Sequence, residues 1–266
     1  MSDSIDHICL NPISHSKKRC MEDRSDGFGA QFLTIIYAAA VCNHHKLDFV
    51  YKPIKRMEHN YDNDPDFLNK VDNLINFKDN YINYDNLSQV EKEEVVYISL
   101  WGAIELVKSN YDLYLGKENM KLIKKYFFEN KNKNFYGNDY FNVAVHIRRK
   151  NCVDWRNEGS ITPDSYYLGI INKIREKHSD KKLLFHIYSQ GDINNFKDYL
   201  NNDTVLHVNE NLFDSFIGLA SADVLVMSCS DFSFSAAILS NSEEIYFLYE
   251  SWYLHKPLSN WIINSP

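Results

Sequence analysis

A chain of 266 residues suits one large domain or two ordinary ones, and its 44% hydrophobic and 14% aromatic content excludes general disorder. A formal net charge of −7 argues against a nucleic-acid binder, which needs a basic surface, although local basic groups can still act inside an acidic whole. Five cysteines (Cys9, Cys20, Cys42, Cys152 and Cys229) are odd in number and form no C-x-x-C pair, which reads as reduced thiols and excludes a disulfide framework or a zinc finger. The opening MSDSIDHICLNP lacks the basic-then-apolar pattern of a signal peptide, and no apolar run is long enough to span a bilayer. A soluble, cytoplasmic protein is the expectation.

In chain order, HICLNPI (7–13) and LDFVYKPI (47–54) read as strands flanking a helix over 29–46. That helix opens on DGFGAQ, from Asp26 to Gln31. Two glycines one residue apart permit close backbone approach, and the unpaired N–H groups of the helix start favour an anion. A tight turn that lets the helix pack is the other reading. The stretch 55–95 is polar, with weak helical pieces around 65–77; EVVYISLW (94–101) reads as a third strand, before helices near 102–114 and 117–130. The polar segment ENKNKNFYGNDY (129–140) marks a boundary, giving domains 1–138 and 139–266.

The second half alternates regularly. Strands are expected at 143–148, 183–189, 204–208, 223–228 and 244–249, with helices at 163–178, 194–200, 213–221 and 231–240. This rhythm indicates a parallel, Rossmann-like sheet. Its first strand, in FNVAVHIRRKN, ends in His146, Arg148 and Arg149. Ligands of open α/β sheets sit at the carboxyl ends of the strands, and guanidinium groups there offer planar, bidentate forks for phosphate. A strand running into solvent with two surface arginines is the bland alternative. In SADVLVMSCSDFSFSAA (Ser221 to Ala237) a strand ends at Ser228, and Ser230, Asp231 and Ser233 gather at the next helix start. There they serve as caps, as ligand contacts, or as both. Other chemistries find little support: His44 and His45 are adjacent and so miss the i, i+4 spacing of a helical zinc site, and no G-x-S-x-G elbow occurs.

The ordered set GFGAQ, HIRRKN and ADVLVMSCSDFS resembles the fucosyltransferase superfamily of α1,2, α1,6 and protein-O-fucosyl enzymes. The resemblance implies an α/β fold of the GT-B type, with two Rossmann-like domains facing across a cleft and a last helix returning to the N-terminal domain. It implies an inverting transfer of L-fucose from GDP-fucose to a glycan hydroxyl, without metal or other cofactor. In that reading Arg148 grips the β-phosphate, Arg149 assists, and His146 lies near the nucleoside or is simply a satisfied core histidine. Gly27, Phe28, Gly29 and Gln31 close over the nucleotide from the N-terminal, acceptor-side domain. Ser230, Asp231, Phe232 and Ser233 line the pyrophosphate and ribose. Asp214 either reads guanine, its carboxylate accepting from N1–H and the 2-amino group, or caps a helix starting at Ser215. Candidate general bases are Asp26, Asp154 and Glu158, each also readable as a solvated loop residue. Two departures stand out: Asn151 where the family has Asp, and Asp231 where Ser is common. Another nucleotide sugar as donor, or a non-catalytic sugar-nucleotide or glycan-binding module, are the alternatives.

Overall fold

The computed structural model describes residues 16–58, 60, 63–132, 134–149, 162–248 and 255–264. By its contacts the chain divides into two compact units, Met1–Lys131 and Asn132–Pro266. Each is a parallel sheet flanked by helices. The expected strand at 7–13 lies outside the described residues.

In the first unit the elements are β1 (Lys18–Met21), α1 (Phe28–His45), β2 (Asp48–Tyr51), α2 (Phe67–Ile75), β3 (Ile82–Asn83), α3 (Gln89–Glu93), β4 (Val96–Ile98), α4 (Leu100–Ser109), α5 (Tyr111–Leu115) and α6 (Lys117–Phe128). The sheet order is β3-β2-β1-β4, every pair parallel. Helix α1 is apolar nearly all round and buried from Phe28 to Cys42 apart from Ala30, as befits a helix at the centre of a unit rather than on its surface. It packs on β1 and β2 and on α4, α5 and α6. Strand β1 was not legible in the sequence because it begins Lys-Arg; Arg19 is nonetheless buried, its guanidinium donating to the Ser16 and Lys18 carbonyls at 2.6 and 3.2 Å. The helix expected over 102–114 is two helices, broken at Asn110, whose side chain caps α5 by accepting from the Leu113 N–H at 3.0 Å.

The second unit comprises β5 (Phe141–His146), α7 (Asp164–Lys177), β6 (Leu183–Ser189), a 3₁₀ segment (Ile193–Tyr199), β7 (Thr204–Val208), α8 (Leu212–Ser221), β8 (Val224–Val226), α9 (Asp231–Leu239), β9 (Glu244–Leu248) and β10 (Ile262–Asn264). The order is β10-β9-β8-β5-β6-β7, again wholly parallel. From β5 the chain steps outward through β6 to β7, then returns to β8 on the other side of β5 and steps outward to β10. The last described segment is thus an edge strand paired with β9, and the last helix expected to return to the N-terminal domain is not found among the described residues.

The two faces of this sheet differ in kind. Val143, Val145, Phe185, Ile187, Val224 and Val226 share one face and form a core with Tyr167, Ile170, Ile171 and Ile174 of α7. Strand alternation puts Asn142, His146, His186 and Tyr188 on the other. There Tyr188 stacks on His207 at 4.4 Å, and its hydroxyl meets that of Tyr136 at 2.7 Å. Helix α8 approaches this face through Gly218, where a Cβ would sit 2.6 Å from Tyr188 Cζ and 2.9 Å from the Tyr136 hydroxyl. Since Tyr188 is buried and stacked it has nowhere to move. Gly218→Ala should therefore destabilise the protein by roughly 1–3 kcal/mol through overpacking. Urea unfolding measures this, and adding Tyr188→Phe should recover part of the loss by removing the nearest atom.

Candidate functional site at the strand-order reversals

In both units the sequence motifs follow strands at which the sheet reverses its direction of growth. In the second, β5 and β8 are neighbours at the reversal of strand order, the position whose carboxyl ends hold the ligand in open α/β sheets. His146, Arg148 and Arg149 leave β5 here, and Ser228 to Phe232 leave β8.

A side-chain hydrogen bond joins the two loops: His146 Nδ1 and Ser228 Oγ share a hydrogen at 2.8 Å, both residues buried. Phe232 packs on the imidazole, ring centroids 5.5 Å apart. Burial, reinforced by the neighbouring Arg148 charge, pushes the His146 pKa down to about 3. The imidazole is therefore neutral at physiological pH, a ring that positions its neighbours rather than a proton carrier. The chain leading into Arg148 is pinned from both sides: the Ile147 N–H donates to the Tyr188 carbonyl at 2.9 Å, and Ser189 Oγ donates to the Ile147 carbonyl at 2.8 Å. Arg148, half-buried, thus emerges from a fixed backbone.

Arg149 is committed elsewhere. It pairs with Asp164 at the start of α7, which also accepts from the Tyr199 hydroxyl, and its guanidinium lies 5.5 Å from the Phe196 ring centroid. Asp164 thereby supplies a carboxylate to this arginine. Asn151, Asp154 and Glu158 lie outside the described residues.

In the β8–α9 loop, Ser230 is the N-cap of α9, its side chain accepting from the Phe232 N–H at 3.3 Å. Ser233 is fully buried: its hydroxyl accepts from the Ser228 N–H at 3.3 Å and lies 3.2 Å from the carbonyls of both Ser228 and Ser230. It holds the loop from within. Asp231 occupies the first turn of α9, where the helix dipole favours a negative charge, and His255 Nε2 lies 2.9 Å from its carboxylate. His255 is itself buried and stacked on Phe234 at 4.3 Å. The carboxylate that stands where Ser is common in the family is therefore met by a ring. Asp214 does not cap a helix starting at Ser215, because α8 starts at Leu212 and its cap is Asn211. The Asn211 side chain accepts from the Asp214 N–H at 2.9 Å and donates to its carboxylate at 2.6 Å, with Asp214 exposed.

In the first unit the reversal falls between β1 and β4, and the GFGAQ segment follows β1. Gly27 is the extended N-cap of α1, and Phe28 is buried against Phe32, rings 5.3 Å apart. Gly29 and Gln31 are buried too, and the Gln31 amide donates to the Asp26 and Arg56 carbonyls at 2.5 and 2.9 Å. Phe28 and Gln31 thus fix the loop from the core side, and Asp26 pairs with Arg24. Sequence reasoning missed Ser228, Asp164, Tyr199 and His255. Ser228 sat inside the noted motif and Asp164 directly after Pro163, while nothing marked His255, distant in sequence from its partner.

Among the described residues, no group of three or more His, Cys, Asp and Glu side chains could hold a metal ion, and no helix is long and apolar enough to cross a membrane.

Two parallel α/β units, the second with an arginine-bearing reversal of strand order, are the architecture of a GT-B-like fold. More particularly, the sequence matches glycosyl transferase family 11 over residues 72–261, and the chain belongs to that family. Solved structures similar to it include the fucosyltransferase NodZ from Bradyrhizobium, 12% identical over 85% of this chain and 94% of that one, with a TM-score of 0.42. NodZ α-1,6-fucosyltransferase co-crystallized with GDP is 10% identical over 85% and 93% (TM-score 0.44). The E. coli heptosyltransferase WaaC with ADP-2-deoxy-2-fluoro heptose is 11% identical over 93% and 92% (TM-score 0.42). No curated protein matches the sequence.

The state of His146 has a thermodynamic consequence. In the unfolded chain an imidazole titrates near pH 6.5, about the ordinary value, whereas in the native protein it takes a proton only near pH 3. Between those values the unfolded state binds the extra proton, so stability falls as the pH drops below about 6.5. Urea midpoints measured from pH 7 to 5 should fall, and His146→Gln should flatten that slope. An unchanged slope would show that the imidazole titrates normally.

Proposed function

We propose that the protein is an inverting fucosyltransferase that moves L-fucose from GDP-fucose to a glycan hydroxyl. The observation that carries the reading is Arg148, set on a pinned backbone at the reversal between β5 and β8. The motif set around it supports fucose as the sugar. In the reaction the acceptor oxygen bonds to the anomeric carbon as the bond from that carbon to the β-phosphate oxygen breaks. GDP leaves with the bonding pair, and the acceptor proton passes to a base.

Arg148 opposes the charge growing on the leaving diphosphate. A fixed guanidinium at a developing anion lowers such a barrier by about 3–4 kcal/mol. Arg149 acts through its pair with Asp164, holding the backbone that follows β5. His146 and Phe232 set the loop after β8, Ser230 and Asp231 present the start of α9 to the phosphates and ribose, and Asp214 takes the guanine edge. The candidate bases are Asp26, Asp154 and Glu158. The reaction needs no metal, because arginine supplies the charge that a cation otherwise would.

Calorimetry with GDP, UDP and ADP, alongside transfer and hydrolysis assays on GDP-fucose, tests this. GDP should bind in preference to the other two, without added divalent cation and equally well in EDTA. Arg148→Ala should keep the wild-type melting temperature while transfer falls on the order of 10²–10³-fold. Failure to bind GDP, or wild-type activity in that variant, would overturn the proposal.

A further inference from the structure

Where β7 ends, the chain crosses to α8 in only three residues, Asn209, Glu210 and Asn211. Each of them is tied by its side chain. Glu210 Oε1 lies 2.7 Å from His207 Nδ1, and Asn211 caps α8 while holding Asp214, as described above. Asn209 makes the longer reach. Its backbone is left-handed, with a φ of 60°, a conformation that asparagine tolerates. Its N–H donates to the Ser189 carbonyl at 3.0 Å, and there the chain turns away from β6. The side-chain amide then takes over the pairing: Nδ2 donates to the Gly191 carbonyl at 2.8 Å, and Oδ1 accepts from the Gly191 N–H at 2.9 Å.

A side-chain amide carries the same donor and acceptor as a peptide, so this reciprocal pair adds one rung to the β6–β7 contact beyond the strands. Gly191 makes the rung possible, because its φ of 111° is a conformation that L side chains rarely adopt. Both residues are exposed to water, where such bonds add only about 0.5–1.5 kcal/mol each to stability. What the clasp fixes is the path of the loop after β7, at the edge of the sheet where ligands bind. Ser189, to which Asn209 also bonds, is the residue that holds the Ile147 carbonyl ahead of Arg148.

We propose that Asn209 is a positioning residue for base recognition, holding the 209–211 loop so that Asp214 presents its carboxylate to guanine; this rests on the transferase reading above. Asp214 is exposed in the first turn of α8 and takes its orientation from Asn211, so a loop free to move would carry both away. A carboxylate that accepts from N1–H and the 2-amino group distinguishes guanine from hypoxanthine, which lacks that amino group. Such discrimination needs a fixed acceptor, since ordering a mobile one at each binding event lowers affinity. The base lies remote from the bond that breaks, so the effect falls on binding of the donor and leaves the chemical step alone.

Calorimetry of the full-length protein with GDP and inosine diphosphate, alongside donor kinetics with GDP-fucose, tests this. Asn209→Gly keeps the left-handed backbone and removes the side chain; its GDP affinity should fall on the order of tenfold. Affinity for inosine diphosphate should fall less, narrowing the preference between the two. The KM for GDP-fucose should rise while kcat holds. Asn209→Asp, which keeps the acceptor for the Gly191 N–H, should recover part of the loss. Asn209→Gly combined with Asp214→Ala should lose no more GDP affinity than Asp214→Ala alone. Unchanged GDP affinity in Asn209→Gly, an equal loss for both diphosphates, or additive losses in the double variant would each overturn the role of Asn209. Failure of the wild type to bind GDP would instead overturn the transferase reading.

Discussion

A parallel sheet that grows first to one side and then to the other must at some point leave two neighbouring strands whose following loops run apart. Here that constraint is met twice, between β1 and β4 and between β5 and β8. Helices must cover both faces of such a sheet, so the gap between the diverging loops is where backbone and side chains remain available for a ligand. The transferase reading follows from which residues emerge there. In the second unit they are cationic and hydroxylic; in the first they belong to the GFGAQ loop.

The charged groups of the second unit differ in what holds them. Arg149 has a carboxylate, a phenol bonded to that carboxylate, and an aromatic ring beneath it, so it belongs to the frame. Asp231 has a helix dipole and a buried imidazole. Both departures from the family pattern, at Asn151 and Asp231, thus lie beside a charge that the frame of this unit already meets. Desolvation decides the state of His146, and the like charge of Arg148 beside it adds to the cost of protonating the ring.

Much of the second unit was legible because its strands are apolar, β-branched runs separated by amphipathic segments of helical length. The strands at 183–189 and 204–208 have the bounds that the pattern indicates. Strand β10 was not, because three residues carry no periodicity, and β1 was not, because its charged residues satisfy themselves on carbonyls rather than in water. The site was legible as motifs and illegible as partnerships. Nothing in the local sequence ties His255 to Asp231 or Asp164 to Arg149, since each pair is made by the tertiary path of the chain. The motif around Gly27 also read as a loop for ligand when two of its members, Phe28 and Gln31, face inward.

The pair of Arg149 with Asp164 has one more effect. These two residues stand at either end of the segment 150–161, so their ion pair closes that stretch of chain at its root. In polymer terms the ends are held together by the frame whatever lies between them. Lengthening a closed loop is entropically mild, with each doubling adding about 0.6 kcal/mol. Changes of length between these two residues therefore need not draw on β5 or α7. A scaffold clasped in this way can keep the end of β5 constant while the chain beside it evolves.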